Sequence, residues 1–304
     1  MAGSAADRRT RLTVLVALAA NLVIAAAKTV GGLASGSPAL LSEAAHSVAD
    51  SLNEVFLLAA LRRSRRPADA RHPFGYGKER FFWALLAAVG IFVMGGCFSF
   101  YQGLSALRRD DQESPDGYTA GLIVLGVAFV AEATSLTRAL HQARGEKRGS
   151  LDPALRTVIA EDSTAVLGVT LAMAGMGLHL ATGSVVWEAA ASLGIGLLLV
   201  YVAFRLGRDA RDQLIGEAVD PELRRELVGF LMRQSEIDNV AELLTMRLGM
   251  DSVLVAARID LAPGIDSERV EEVSMRIREA MADRWPQADQ VFLDVTNAPP
   301  RAGL

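Results

Sequence analysis

Long apolar stretches separated by short polar links occupy the chain up to about residue 207. A helix needs about 20 residues to cross the hydrocarbon core of a bilayer. Six stretches reach that length, and they cover residues 12–33, 38–61, 81–107, 120–140, 154–180 and 185–206. The pattern therefore predicts a bundle of six transmembrane helices.

After this region the pattern becomes that of a small soluble domain. Apolar and polar residues alternate in its predicted strands, whereas its predicted helices show one apolar face. The predicted elements are a helix over 221–234, strands over 241–248 and 253–261, a helix that begins at Asp266 or Ser267, and a strand over 290–296. The order predicts an α-β-β-α-β domain.

The composition agrees with a membrane domain joined to a soluble one. Of the 304 residues, 51% are hydrophobic and 22% are charged. We expect an N-terminal tail over 1–11, a transport domain over 12–207 and a C-terminal domain over 208–304. The single cysteine excludes intrachain disulfides and multi-thiolate zinc sites, and the four histidines exclude a histidine-rich loop.

Positive charge is concentrated before the first stretch and in the links over 62–78 and 144–148. Because cytosolic links are rich in Lys and Arg, both termini and these two links are expected in the cytosol. The link over 108–118 is largely acidic and is expected outside. The N-terminus has the pattern of a retained tail rather than a cleaved signal, which favours a plasma membrane of the bacterial inner type.

His46 and Asp50 lie in the second stretch, and their spacing of four residues places them on one face of a helix. Ionisable groups at membrane depth usually line a pathway or pair with one another, because burying them is costly. Imidazole nitrogen and carboxylate oxygen together suit zinc and neighbouring transition metals. The pair therefore predicts a metal site; the alternative is a polar contact that only holds helices together.

Glu161 and Asp162 in the fifth stretch are the expected partners of that pair. Adjacent side chains on a helix point about 100° apart, so both carboxylates do not face one site squarely. We expect Asp162 to bind metal, and Glu161 to bind it too, to accept a proton or to pair with Lys28. Glu43 and Glu132 also lie in apolar stretches, and an ion pair with Lys28 would explain either of them.

Other polar groups stand near the ends of the stretches. Glu188, His141 and His179 are expected at the interface between bilayer and water, where a polar group costs little. His72 opens the segment HPFGYG over 72–77, whose proline and glycines predict a structured turn. There His72 either meets an incoming cation or orders the link.

Several motifs follow one another along nearly the whole chain. They are Lys28 in the first stretch, Gly36-Ser37-Pro38-Ala39-Leu40-Leu41, Glu43-x-x-His46-x-x-x-Asp50, the HPFGYG link, and Leu214-Ile215-Gly216-Glu217-Ala218. Together they resemble the cation diffusion facilitators, a family of zinc transporters. The resemblance implies a homodimer that exports Zn²⁺ or a related cation from the cytosol in exchange for protons. It also implies a metallochaperone-like cytosolic domain that helps to hold the dimer together.

The fifth stretch departs from the family pattern. The family has a second histidine four residues before the aspartate, and this chain has Val158 there. Glu161-Asp162, with Glu132, is similar to the branch that includes animal mitochondrial zinc transporters. The implied site holds His46, Asp50 and Asp162, with either Glu161 or a water as the fourth ligand. Fewer imidazole ligands reduce discrimination against Mn²⁺, Co²⁺ and Fe²⁺, although Zn²⁺ remains the first expectation.

The expected function is therefore proton-coupled efflux of a divalent cation, which is a substrate rather than a permanently bound cofactor. The missing histidine leaves a second hypothesis open, that of a membrane metal-binding scaffold or regulator without transport. An enzyme is not expected, because the cytosolic segments show no nucleophile-and-base arrangement or phosphate-binding loop. Nucleic-acid binding is not expected either, since membrane topology already accounts for the basic clusters.

Overall fold

The computed structural model describes residues 2–108, 115–145 and 153–296. Most of the predicted acidic link, and the positions from 146 to 148 in the predicted basic link, lie outside these residues. The chain forms two compact units. The first contains Met1–Leu58 and Ala84–Arg208, and the second contains Ala59–Trp83 and Asp209–Leu304. The second unit thus includes the predicted cytosolic link as well as the C-terminal region.

Six long helical segments are present among the described residues, and each predicted apolar stretch falls on one of them. They are α1 (Ala2–Ser35), α2 (Pro38–Arg63), α3 (Glu79–Gly90), which continues through a π-helical segment (Ile91–Cys97) into α4 (Phe98–Ala106), α5 (Pro115–Gly145), α6 (Pro153–Thr182) and α7 (Val186–Ile215). Gly36 and Gly183 adopt positive φ angles where α1 and α6 end. Glycine tolerates this conformation without the steric cost that a Cβ brings, so the chain reverses direction tightly there.

Five of these segments are long and apolar enough to cross a membrane within the described part of the chain. They are Leu18–Ser35, Glu79–Ala106, Gly117–Arg144, Ile159–Thr182 and Val186–Ile215. The exception is α2, which carries His46, Asp50, Asn53 and Glu54 within a few turns. The second of the six predicted spans, which corresponds to α2, therefore stays a prediction.

The helices of the first unit bury small side chains and expose large apolar ones. Fully buried positions include Ala39, Ala172 and Ala189, whereas Leu33 and Phe204 are each 71% exposed. In water such exposure would be unfavourable, but in lipid it is the expected arrangement because small residues allow close helix packing. The pattern is typical of a membrane protein.

The C-terminal part of the second unit, over the described residues after α7, contains a three-stranded sheet and two helices. Its elements are α8 (Pro221–Leu231), β1 (Ile237–Arg247), β2 (Val253–Leu261), α9 (Ser267–Arg284) and β3 (Gln290–Val295). The strand order is β1-β2-β3, with β1 antiparallel and β3 parallel to β2. Asp266 caps α9, because its Oδ1 accepts a hydrogen bond of 2.9 Å from the Arg269 backbone N–H. The described residues thus form a small C-terminal domain with a three-stranded sheet, as predicted.

One face of this sheet is covered and the other is exposed. The covered face packs α8 and α9 against β2 through Leu227, Leu231, Val255, Ile259, Ile277 and Met281. On the opposite face, Leu244, Ala256 and Phe292 are neighbours across the three strands. Leu244 is 58% exposed and Phe292 is 50% exposed. The open face therefore carries an apolar row.

The predicted turn around His72 is a hydrogen-bonded loop of the second unit. Asp69 Oδ1 accepts from the backbone N–H groups of Arg71 and His72, and Asp69 Oδ2 accepts from the Tyr76 hydroxyl at 2.7 Å. The Tyr76 hydrogen bond is the main cause that holds the pKa of Asp69 below its usual value. His72 Nδ1 lies 3.5 Å from Asp69 Oδ1. These contacts support the loop-ordering interpretation of His72.

Candidate metal site and the buried charges around it

His46 and Asp50 lie on one face of α2, as their spacing predicts. His46 Nδ1 is 3.7 Å from Asp50 Oδ1, which is too long for a hydrogen bond. The His46 side chain is 6% exposed and that of Asp50 is 36% exposed. Both ring nitrogens of His46 are buried and make no hydrogen bond to any residue that the structure describes. The neutral imidazole therefore keeps a lone pair available to bind a metal ion.

Asp162 lies on α6, the helix that the sequence predicts as the partner of α2. Its carboxylate accepts a hydrogen bond from Ser135 on α5. Asp162 Oδ2 is buried and has no hydrogen-bond partner within the described ranges. Asp50 and Asp162 are close enough to interact electrostatically. The structure thus places an unsatisfied carboxylate oxygen of Asp162 within electrostatic reach of Asp50.

Glu161 faces a different direction from its neighbour. Its side chain is exposed, and its Oε1 accepts a hydrogen bond of 3.1 Å from Asn53 Nδ2 on α2. It also interacts electrostatically with Asp50 and Asp162. Because three carboxylates with like charge repel one another, hydrogen bonding from a neutral amide is a favourable arrangement for one of them.

The predicted ligands are therefore brought together in part. In residues 2–108, 115–145 and 153–296, no group of three or more His, Cys, Asp and Glu side chains has a geometry that could hold a metal ion. His46 and Asp50 approach each other, and Asp162 interacts with Asp50 through space. The full set of His46, Asp50, Asp162 and Glu161 stays a prediction.

Lys28 forms the ion pairs that the sequence suggested for the remaining buried carboxylates. Its Nζ lies 3.0 Å from Glu43 Oε2 and 3.2 Å from Glu132 Oε1. The side chains of Lys28 and Glu43 are fully buried, and that of Glu132 is 16% exposed. These three residues, called the lysine triad below, join α1, α2 and α5.

Glu188 and His179 have partners within the protein, while their expected place at the interface between bilayer and water stays a prediction. Glu188 is fully buried in the first turn of α7, and it accepts hydrogen bonds from Ser37 and Tyr118. His179 Nδ1 lies 3.1 Å from Glu188 Oε1. Because these groups are bonded to one another, the burial of the Glu188 carboxylate is tolerated.

Sequence reasoning missed several partners of the charged groups, and two signals could have indicated them. Asn53 follows Asp50 by three residues, so it lies near the same face of α2. Glu188 comes directly after the turn at Gly183, in the first turn of a helix, where a carboxylate is favoured by the helix dipole. Ser135 offers no such signal, because its contact depends on how α5 packs against α6.

A bundle of long apolar helices with ionisable groups buried between them, joined in sequence to a small α/β unit, defines an integral membrane protein. Residues 14–215 match the cation efflux transmembrane domain, and the chain belongs to this family. The resemblance to the cation diffusion facilitators is confirmed. The family comprises metal cation transporters and not enzymes, as the sequence predicted.

Three curated relatives illustrate the range of the family. Metal tolerance protein C4 of Arabidopsis thaliana is 31% identical over 84% of this chain and 58% of its own length. The mitochondrial proton-coupled zinc antiporter SLC30A9 of Xenopus laevis is 30% identical over 81% of this chain and 46% of its own length. The manganese efflux system protein MneP of Bacillus subtilis is 24% identical over 95% of this chain and 96% of its own length. The chain thus spans about half the length of the first two relatives.

Proposed function

We propose that this protein is an efflux transporter of divalent metal cations, with Zn²⁺ as its first expected substrate and protons as the counter-ion. One observation carries the proposal. A buried imidazole without a hydrogen-bond partner among the described residues stands 3.7 Å from a carboxylate on α2 of a cation efflux domain. Leaving such polar atoms unsatisfied is costly, and an exchangeable ligand explains why the cost is tolerated.

In the proposed mechanism the substrate binds to neutral His46 and to ionised Asp50 and Asp162. Glu161 or a water completes a tetrahedral set. Metal binding requires deprotonated ligands, so binding releases protons, and protonation from the opposite side releases the metal. His46 is the main proton exchanger, because a histidine must be neutral to bind a metal ion and can take up a proton when the ion leaves. Rocking of the helices about this site provides alternating access.

The choice of metal follows from the donor atoms. One imidazole with two or three carboxylates is a harder ligand set than one with two imidazoles, which favours Mn²⁺ more than a histidine-rich site does. The relatives include a protein named as a zinc antiporter and one named as a manganese efflux system. We therefore expect Zn²⁺ transport with measurable Mn²⁺ transport.

The test is metal flux into proteoliposomes with an imposed pH gradient. We expect saturable Zn²⁺ flux and an opposite proton flow in the wild type. Asp50→Ala and Asp162→Ala each remove a ligand, and we expect them to lower the flux by at least about tenfold, the lower end of the loss caused by perturbing a metal site. Collapse of the pH gradient should slow the wild-type flux.

Ser163→Ala is the matched control on α6. Its hydroxyl donates to the Ile159 carbonyl of its own helix, so its removal should leave the flux unchanged. Flux in Asp162→Ala equal to that in Ser163→Ala would exclude Asp162 as a ligand. The absence of any flux in wild-type vesicles shown to be intact would favour the scaffold function instead.

We also propose a homodimer, with the apolar row Leu244, Ala256 and Phe292 of the second unit as a contact surface. The family resemblance and the exposure of this row support it. Purified protein in detergent should have the mass of two protomers by light scattering after subtraction of the bound detergent. A monomer that still transports would refute the dimer without affecting the transport function.

A further inference from the structure

The lysine triad holds more negative than positive charge. It contains one ammonium group, on Lys28, and the two carboxylates of Glu43 and Glu132. When all three are ionised the triad carries a net charge of −1, since one positive group faces two negative ones. A net charge buried between helices at membrane depth is costly unless another positive charge joins it.

Two oxygens of the triad have no hydrogen-bond donor. Glu43 Oε1 and Glu132 Oε2 are both buried and accept no hydrogen bond from any residue within the described ranges. The backbone of α6 approaches Glu43 Oε1 so closely at Gly168 that a Cβ there would overlap with this oxygen. Each carboxylate thus uses one oxygen for Lys28 and keeps the other free to take a proton.

We propose that the lysine triad is a proton-binding site, separate from the metal ligands, that loads and unloads one proton in each transport cycle. This inference rests on the proposed proton-coupled function. In the loaded state one carboxylate is a neutral carboxylic acid, and the triad has no net charge. In the unloaded state the O–H bond of that acid has broken, its electron pair stays on the oxygen and the proton has passed to water. Glu132 is the exchanging member, because it alone of the three has an exposed portion.

The charges around the triad explain how a metal ion could displace this proton. The charged and titratable groups that face it are Lys28 on α1, Glu132 on α5, and Glu43, His46 and Asp50 on α2, while α6 presents Gly168. Asp50 interacts electrostatically with both Lys28 and Glu43, and His46 with Glu132. A divalent cation bound by His46 and Asp50 therefore favours the ionised carboxylates of the triad, and its departure favours the protonated form.

The experiment counts the protons released when the purified full-length protein binds Zn²⁺ in detergent. Calorimetry in buffers with different ionisation enthalpies gives this number directly. Glu132→Gln keeps the size of the side chain but cannot ionise, so we expect it to bind Zn²⁺ and to release about one proton fewer per ion than the wild type, since proton release follows the ligands and groups that ionise. Glu132→Asp restores a carboxyl group and should restore the wild-type number.

Glu188→Gln is the matched control, because Glu188 is another carboxylate buried between the helices but contacts Ser37, Tyr118 and His179 rather than a lysine. It should release the wild-type number of protons. An unchanged number in Glu132→Gln overturns the proposal. If Glu132→Gln no longer binds Zn²⁺, Glu43→Gln decides the outcome. Loss of Zn²⁺ binding in Glu43→Gln as well would assign the triad a structural role and overturn the proposal. Release of the wild-type number of protons by Glu43→Gln would overturn it too. Wild-type protein that releases no proton on binding Zn²⁺ would instead refute the antiport function itself.

Discussion

The side chain of Glu236 shows how local contacts fix a charge in the second unit. It is 8% exposed and accepts hydrogen bonds from Ser235, Arg269 and Arg276. The Arg276 hydrogen bond is the largest cause that lowers its pKa from 4.5 to about 2. Because Glu236 directly precedes β1 and both arginines lie on α9, these bonds attach the helix to the sheet.

We expect Glu236→Gln to lower the free energy of unfolding at pH 7 by about 1.5–3 kcal/mol, the usual value of a hydrogen bond to a charged group. Since the folded pKa lies below the unfolded one, the ionised contacts stabilise the protein fully above about pH 4.5. Their contribution disappears as the pH falls toward 2. Thermal unfolding followed by near-ultraviolet circular dichroism at pH 7, 4 and 3 measures the difference between variant and wild type.

The exposed Glu271 on α9 provides the control for this prediction. Glu271→Gln removes the same charge without removing these bonds, so its stability should stay within about 0.5 kcal/mol of the wild type. A deficit in Glu236→Gln that is as large at pH 3 as at pH 7 would contradict the role of ionisation.

Among the helices, α6 shows how a single glycine decides which neighbours can approach. A Cβ at Gly175 would lie 2.6 Å from the Ala191 Cβ and 3.1 Å from the Trp187 carbonyl oxygen of α7. At Gly177, two residues along the same helix, a Cβ would meet no described atom within 4 Å. The two glycines therefore differ in packing although both lie in one apolar sequence.

We expect Gly175→Ala to destabilise the protein by about 1–3 kcal/mol, because α6 and α7 must move apart. Gly177→Ala should be neutral or stabilising by up to about 1 kcal/mol, since alanine favours a helix more than glycine does. The apparent melting temperatures of both variants in one detergent test this pair. Equal melting temperatures would show that the contact at Gly175 yields without cost.

At the scale of elements, periodicity in the sequence located the helices and strands well. The strand over Val253–Leu261 has the predicted bounds, and the cap of α9 is one of the two predicted residues. The first helix extends well beyond the predicted stretch, from Ala2, because helical structure can continue after apolar character ends. The helix predicted over 221–234 ends at Leu231, since the chain turns before β1.

For the molecule as a whole, the predicted topology places both termini and the link over 62–78 on the cytosolic side. The chain has a single cysteine, Cys97, so a Cys97→Ser background permits specific labelling. In this background we expect Ala70→Cys to react with an impermeant maleimide from the cytosolic side, and Ala181→Cys from the opposite side. Both residues are exposed, so each can be reached.

A second pair tests whether α2 spans the bilayer. Three candidate spans separate residues 70 and 181, so these two positions lie on opposite sides whether or not α2 crosses. The exposed Ala34 and Ala70 flank α2, and Ala34→Cys and Ala70→Cys should react from opposite sides only if α2 crosses. Reaction of Ala34→Cys and Ala70→Cys from the same side of inside-out or right-side-out vesicles would contradict the six-span topology.

The sequence by itself determined where the helices and strands lie, that the chain belongs in a membrane, and which residues on α2 share one face. These properties follow from local periodicity and from the cost of burying charge, which are encoded in neighbouring residues. Tertiary structure alone decided that Lys28 pairs with both Glu43 and Glu132, and that Glu188 is buried beside His179. It also decided that Glu161 bonds to Asn53. These contacts join residues far apart in the sequence, and they depend on how small residues let the helices approach, which periodicity does not report.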